Sequence, residues 1–178
     1  MKKILFALLF TLLIPPVFAG EPLLVGADAP FFNLQDQNGD WHALENYRGQ
    51  WLAIYFYPRD DTPGCTKEAC NFRDNIYAFK AIDAAVVGIS VDDVESHKKF
   101  SDKYKLQFTI LADPDNTTAS AYGVLKDYKL IKLASRQSFL VDPEGKIAKH
   151  YADVDPDTHT EEVLADIKTL SEAWSSTL

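Results

Sequence analysis

The chain has 178 residues, with 18 Lys and Arg against 26 Asp and Glu, and its formal net charge is −8 at pH 7. This length suits one domain with a full hydrophobic core. Phosphate backbones and anionic lipids repel an acidic domain, so nucleic acids and membrane surfaces are not expected partners. Cys65 and Cys70 are the only two cysteines of the chain, and they are the first candidates for reactive side chains.

The N-terminus has the layout of an export signal. Two lysines are followed by an apolar run over residues 4–14, then by two prolines and a small residue, Ala19. The apolar run is shorter than the roughly 20 residues needed to span a bilayer, which disfavours a membrane anchor. We therefore expect a signal peptide over residues 1–19 that is cleaved before Gly20. The product would be periplasmic or secreted, without stable membrane association.

Hydrophobic periodicity predicts one domain over residues 20–178, with strands and helices in alternation. The run Trp51–Tyr57 is apolar, aromatic and β-branched, which is typical of a buried strand. Thr158 is followed three residues later by Glu161, which predicts a capping box for the last helix. The other predicted elements are a hairpin of 31–35 and 41–44 around Asn38-Gly39, a helix over 65–80, a strand over 85–91, a helix capped by Asp92 or Asp93 that carries Val94, His97, Phe100 and Tyr104, a strand over 108–111, a short helix over 117–122, and a hairpin of 137–141 and 146–151.

This order of elements predicts the fold class. Strands alternate with helices in the middle of the chain, and hairpins stand at both ends. We therefore predict an α/β protein with a thioredoxin-like fold, in which helices flank a central mixed β-sheet. The loop RDDTPG then joins a buried strand to the helix that carries both cysteines.

Cys65 is predicted to lie in the first turn of its helix. Amide groups of that turn have no partner within the helix, and the helix dipole adds positive potential there. Both effects stabilise a thiolate, which is the reactive form of cysteine. Cys65 is thus a candidate nucleophile, and the alternative is an inert buried thiol or one half of a structural disulfide.

The spacing of the two cysteines favours a reversible disulfide over a permanent one. In a regular helix, residues five apart have Cα atoms about 8.7 Å apart, beyond the roughly 7 Å that a disulfide tolerates. A bond between Cys65 and Cys70 therefore requires this part of the helix to unwind. Closing so small a loop stabilises a fold by only about 2 kcal/mol.

Two other kinds of site fit the sequence poorly. A thioredoxin-type reductase has two residues between its cysteines, whereas four residues intervene here. A zinc site needs further ligands at suitable spacing, and we expect each histidine to be a surface residue instead. Glu68 and Arg73 could pair near the site, but an ion pair at the surface is the expectation. The four histidines are scattered over the chain, at His42, His97, His150 and His159.

The segment around Cys65 resembles a known family. Residues 58–65 have the peroxiredoxin pattern of Pro, three residues, Thr, two residues and Cys. The longer segment YFYPRDDTPGCTKEACNFRD is similar to the bacterioferritin comigratory protein (Q-type) subfamily of peroxiredoxins. Weaker similarity extends over nearly all of residues 20–178, in the expected order.

The resemblance implies a role for each of five residues. Cys65 would be the peroxidatic cysteine, and Cys70 the resolving cysteine. Thr62 would donate a hydrogen bond to the sulfur and to the peroxide, and Pro58 would shield the pocket. Arg136, in the segment RQSFLVD, matches the active-site arginine of the family.

The activity that the resemblance implies is thiol-dependent peroxide reduction. Hydrogen peroxide and organic hydroperoxides would oxidise Cys65 to a sulfenic acid, and a disulfide with Cys70 would follow. A thioredoxin-like dithiol protein would reduce that disulfide, without metal or organic cofactor, and the protein would be a monomer. The alternatives are a thiol-disulfide exchange enzyme without peroxidase activity and a redox sensor without turnover.

Overall fold

A computed structural model of the chain describes residues 23–176. The signal peptide expected over residues 1–19 lies outside this range. The elements are β1 Asn33–Asp36, β2 Trp41–Ala43, a 3-10 helix Leu44–Tyr47, β3 Trp51–Phe56, α1 Pro63–Ala81, β4 Ala84–Ser90, α2 Val94–Tyr104, β5 Thr109–Ala112, α3 Thr117–Ala121, β6 Leu125–Asp127, β7 Lys132–Ala134, β8 Gln137–Val141, β9 Ile147–Tyr151 and α4 His159–Ser175.

Within this range the strands form a seven-stranded sheet in the order β2-β1-β5-β4-β3-β8-β9, and β6 pairs with β7. The central strands β3, β4 and β5 are parallel, since helices connect them. The outer strands β1 and β8 pair antiparallel with β5 and β3. The predicted mixed sheet of a thioredoxin-like fold is confirmed.

Strand β3 is buried on both faces, as its continuous apolar run predicts. Its residues alternate between two cores because successive side chains point to opposite faces of a sheet. Trp51, Ala53 and Tyr55 pack with α1, α2 and α4. The intervening residues pack with α3 and the N-terminal segment. Helices therefore cover both faces of the sheet.

Three local predictions are wrong. The first strand begins at Asn33, and Phe31 is exposed. The largely exposed segment 125–134, to which we assigned no element, forms the hairpin of β6 and β7. Thr158 precedes α4, but its side chain makes no capping hydrogen bond, so the motif there is not a working capping box.

Gly88, on β4, is the position where a close approach requires glycine. A Cβ atom there would lie 2.7 Å from the Tyr55 hydroxyl oxygen. The Tyr55 ring in turn stacks on Phe72 of α1, with ring centroids 4.7 Å apart. Gly88 thus lets the aromatic side chain of β3 lie flat between the sheet and α1.

Within residues 23–176, no helix is long and apolar enough to cross a bilayer.

Candidate active site

Cys65 lies in the first turn of α1, as predicted. Pro63 begins the helix after Thr62, whose backbone is extended, and proline is well suited to that position. The first helical hydrogen bond runs from the Thr66 amide to the Thr62 carbonyl, at 2.8 Å. The Cys65 amide precedes it and has no partner within the helix. The Cys65 side chain is buried, with 1% of its surface exposed.

Arg136 contacts the Cys65 sulfur. Its Nη2 donates to Sγ at 3.2 Å, so a positive charge lies against the thiol. Arg136 follows β7 and precedes β8, which pairs with β3 in the register Gln137 opposite Phe56. That pairing places the arginine beside the loop that leads into α1. The residue implied by the resemblance is therefore brought to the sulfur.

Glu68 is part of the same site, which the sequence analysis missed. It is fully buried, and its Oε2 accepts a hydrogen bond from Arg136 Nη1. Burial raises the pKa of Glu68 to about 7, although the charge of Arg136 acts in the opposite direction. The surface ion pair with Arg73 is wrong, because Arg73 instead bonds Asp74 and the Tyr104 carbonyl. The signal for Glu68 was its position one helical turn after Cys65.

Thr62 and Pro58 lie in the loop that leads to Cys65, and the Thr62 hydroxyl is bonded to the backbone of that loop. The Thr62 hydroxyl donates to the Arg59 carbonyl at 3.0 Å. Among the hydrogen bonds of residues 23–176, none joins Thr62 to Cys65. Pro58 is half-buried at the start of the same loop. The hydrogen bond to the peroxide and the shielding of the pocket stay predictions.

Cys70 is half-buried, and both cysteines are free thiols. They lie in one continuous helix, since α1 extends from Pro63 to Ala81. Regular helical geometry separates their Cα atoms by about 8.7 Å. The sulfurs cannot bond while this part of the helix is intact, which agrees with the expectation from spacing.

The loop before Cys65 is held by a buried carboxylate, Asp60. Its Oδ2 bonds His97 Nδ1 and the Ser96 hydroxyl, both at 2.8 Å. Its Oδ1 accepts from the Tyr57 hydroxyl at 2.8 Å, and its amide donates to Asp92 Oδ2 at 2.9 Å. The loop is thereby fixed to α2 through several hydrogen bonds. The expectation of a surface position is wrong for His97, which is fully buried.

His159 is also buried, against the expectation. It begins α4, and its Nε2 lies 2.8 Å from the Ser138 hydroxyl oxygen. Burial lowers the pKa of His159 to about 4, and the charge of Arg136 adds to the effect. His159 is therefore neutral at pH 7. Among residues 23–176, no group of three or more His, Cys, Asp and Glu side chains could hold a metal ion.

The fold and this site match one family of proteins. The profile of the AhpC/TSA family matches residues 25–150. Peroxiredoxin Bcp of Bacillus subtilis is 38% identical over 155 residues, which cover 83% of this chain and 97% of the relative. The chain belongs to the AhpC/TSA family of peroxiredoxins. Within that family it is similar to the bacterioferritin comigratory, or Q-type, members.

Two solved structures agree with this assignment. Peroxidoxin BcpB from Mycobacterium tuberculosis superimposes with a TM-score of 0.78 at 31% identity, over 83% of this chain and 97% of the other. The bacterioferritin comigratory protein of Xanthomonas campestris gives a TM-score of 0.75 at 32% identity, over 83% and 96% of the two chains. The latter was described for its alkyl peroxide reduction activity. The chain is accordingly a thiol-dependent peroxidase.

Proposed function

We propose that Cys65 is the peroxidatic cysteine of this peroxidase. The observation that supports this role most directly is the contact of 3.2 Å between Arg136 Nη2 and Cys65 Sγ. The sulfur is buried in the first turn of α1, where backbone amides lack helical partners, and a guanidinium contacts it. Fixed donors of this kind stabilise negative charge on a thiolate and on a leaving oxygen.

In the first step, the Cys65 thiolate attacks one oxygen of the hydroperoxide and the O–O bond breaks. Two electrons pass from sulfur to oxygen, and the departing hydroxide or alkoxide takes up a proton to leave as water or alcohol. Cys65 becomes a sulfenic acid. Arg136 and the Cys65 amide face the developing charge. The Thr62 hydroxyl can turn from the Arg59 carbonyl towards the peroxide.

In the second step, the Cys70 thiol attacks the sulfenic acid, a disulfide forms and water is released. The first turns of α1 unwind to allow it. A thioredoxin-like dithiol protein then reduces the disulfide by exchange. We propose hydrogen peroxide and small organic hydroperoxides as substrates.

Two cysteine variants test these roles. Cys65→Ser should consume no peroxide with a thiol reductant, since it lacks the attacking sulfur. Cys70→Ser should complete one round of peroxide reduction and form no internal disulfide. Turnover in Cys65→Ser would contradict the first role. Exchange with disulfide substrates, without any peroxide consumption by the unaltered protein, would support the thiol-disulfide exchange alternative.

We also propose that residues 1–19 direct export to the periplasm or the medium, and that the product is a monomer. The support for export is the two lysines, the short apolar run and Ala19. The intact mass of protein recovered from the periplasm or medium tests the proposal, and it should correspond to a chain that starts at Gly20. Light scattering coupled to gel filtration should give one chain per particle. Retention of residues 1–19 or a dimer mass would contradict the respective proposal.

A further inference from the structure

The part of α1 that must unwind is attached to the loop that precedes α4. The Asn71 amide, next to Cys70, donates from Nδ2 to the Pro156 carbonyl at 2.8 Å. The same nitrogen lies 3.4 Å from the Asp157 carbonyl oxygen. One turn earlier, Lys67 pairs with the Asp157 carboxylate at 3.0 Å. Both contacts join α1 to the same loop, residues 155–158.

This loop is itself anchored. The Asp155 carboxylate accepts from the Asp157 amide at 2.9 Å. The Asp155 carbonyl accepts from the amides of Thr158 and His159, at 3.2 and 3.0 Å. His159 and the following Thr160 are buried in α4. Loop 155–158 is therefore a fixed support, and α1 is the part that can move away from it.

The two contacts differ in strength. The side chains of Lys67 and Asp157 are 55% and 68% exposed, and exposed ion pairs of this kind contribute little. Asn71 is half-buried, and its amide nitrogen lies within hydrogen-bond distance of two backbone carbonyls of loop 155–158. Unwinding the Cys70 turn requires this amide to leave its acceptors.

We propose that Asn71 is a positioning residue that holds the Cys70 turn in helical form and so slows disulfide formation. This inference rests on the proposed roles of Cys65 and Cys70. The step it controls joins the Cys65 sulfenic acid to the Cys70 thiol with loss of water, and it needs no oxidant beyond the first peroxide. A second peroxide competes by oxidising the sulfenic acid to a sulfinic acid, itself becoming water or alcohol. Asn71 thus determines how readily excess peroxide inactivates the enzyme.

The test compares Asn71→Ala and Asn71→Asp with the unaltered protein. Asp keeps the size of Asn but has no donor, and its carboxylate would face two carbonyl oxygens. Disulfide formation after one equivalent of hydrogen peroxide is followed by rapid acid quench, alkylation and mass spectrometry. Losing a hydrogen bond of ordinary net strength should make this step about threefold to tenfold faster in both variants. The rate of Cys65 oxidation should not change.

Asn75→Ala is the matched control, since the Asn75 amide bonds a carbonyl of its own helix, that of Asn71, at 3.0 Å, and not loop 155–158. Its disulfide rate should equal that of the unaltered protein. With excess peroxide, both Asn71 variants should accumulate less Cys65 sulfinic acid than the control.

Unchanged disulfide rates in the folded Asn71 variants would overturn the proposal. An equal loss in the rate of Cys65 oxidation would also overturn it, because Asn71 would then support the whole site. If Asn71→Ala does not fold, the disulfide rate of Asn71→Asp tests the proposal, because Asp has the same size as Asn. A Cys65 that ignores peroxide in every protein would contradict the proposed function instead.

Discussion

Arg136 contacts two side chains with one guanidinium. Nη1 meets the Glu68 carboxylate, and Nη2 meets the Cys65 sulfur. Burial by itself would lower the pKa of Arg136, but the charges of Glu68 and Cys65 outweigh it and raise the pKa. A planar fork can hold both partners at once, whereas an ammonium group is a single point charge. The geometry of the site therefore depends on arginine and not on positive charge alone.

Replacing Arg136 by Lys should accordingly slow the first step. Loss of one fixed donor to developing negative charge typically costs a factor of about 100 to 1,000 in rate. Single-turnover oxidation of Cys65 by hydrogen peroxide gives the relevant rate constant. Arg59→Lys is a suitable control, because Arg59 lies in the same loop region without contacting the sulfur. Equal rates in Arg136→Lys and the unaltered protein would contradict the role.

Glu68 should make stability depend on pH. Its pKa is about 7 in the folded protein against 4.5 ordinarily, so between these values the folded state holds a proton that the unfolded state has lost. The contribution of Glu68 to stability therefore falls as pH rises from about 4.5 to 7, by about 3 kcal/mol at most, while the lowered pKa of His159 acts in the opposite sense over much of the same range. Glu68→Gln should remove this slope, whereas Glu161→Gln, at an exposed position, should retain it. Urea unfolding of the three reduced proteins across this range gives the free energy of unfolding at each pH. If the curves of the unaltered protein and both variants were parallel, Glu68 would not be the group responsible.

At the scale of elements, α1 is positioned by aromatic packing on β3. Tyr55 lies between Phe72 of α1 and the glycine of β4. The Tyr55 hydroxyl is buried and has no hydrogen-bond partner among residues 23–176. The packing of this ring, and not its hydroxyl, is therefore what supports the helix that carries Cys65.

Gly88→Ala should destabilise the protein, since its methyl group would meet the Tyr55 ring. Overpacking of this kind costs about 1–3 kcal/mol. Adding Tyr55→Phe should recover part of the loss, because the hydroxyl oxygen is one of the atoms nearest to the new methyl group. Thermal or urea unfolding of the single and double variants provides the comparison. A neutral Gly88→Ala would show that the ring moves freely, and the packing argument would not hold.

The sequence predicted best the strands that are buried on both faces of the sheet. The apolar runs of β3 and β4 have no competing interpretation, because both strands lie inside the sheet. The hairpin of β6 and β7 was missed because most of it is exposed, so that its apolar residues, such as Leu130 and Ile131, follow no period of burial. Thr158 shows the opposite error, since a motif was present but the side chain did not use it.

At the scale of the molecule, the site could be predicted only in part. Cys65 and its helix follow from local sequence, and Arg136 followed from resemblance, because 71 residues separate the two in the chain. The burial of Glu68 and His97 depends on tertiary packing. A charged or polar side chain is usually exposed, and only a buried partner such as Arg136 or Asp60 makes the exception favourable.

The oxidised molecule should be less stable than the reduced one. A disulfide that closes so small a loop contributes only about 2 kcal/mol. Forming it unwinds the turns of α1 that bury Glu68 and Ala69, and each backbone hydrogen bond lost there costs about 0.5–1.5 kcal/mol. Urea midpoints of the peroxide-treated and dithiol-treated protein measure the difference. Cys70→Ser, which cannot form the bond, should show none, and a higher midpoint for the oxidised protein would contradict the expectation.

The chain on either side of Cys65 is held by different contacts, and this difference bears on how the disulfide is reduced. Asp60 ties the chain before Cys65 to α2, while the chain after it is tied to loop 155–158 chiefly through Asn71. Opening of the turn that holds Cys70 would therefore release the chain after Cys65 while the chain before it stays held, and the opened form would differ in shape from the reduced enzyme. A reductant that recognises this shape would bind the disulfide form and not the reduced form, before any thiol exchange takes place. The reduced enzyme would then not compete with the disulfide form for the dithiol reductant.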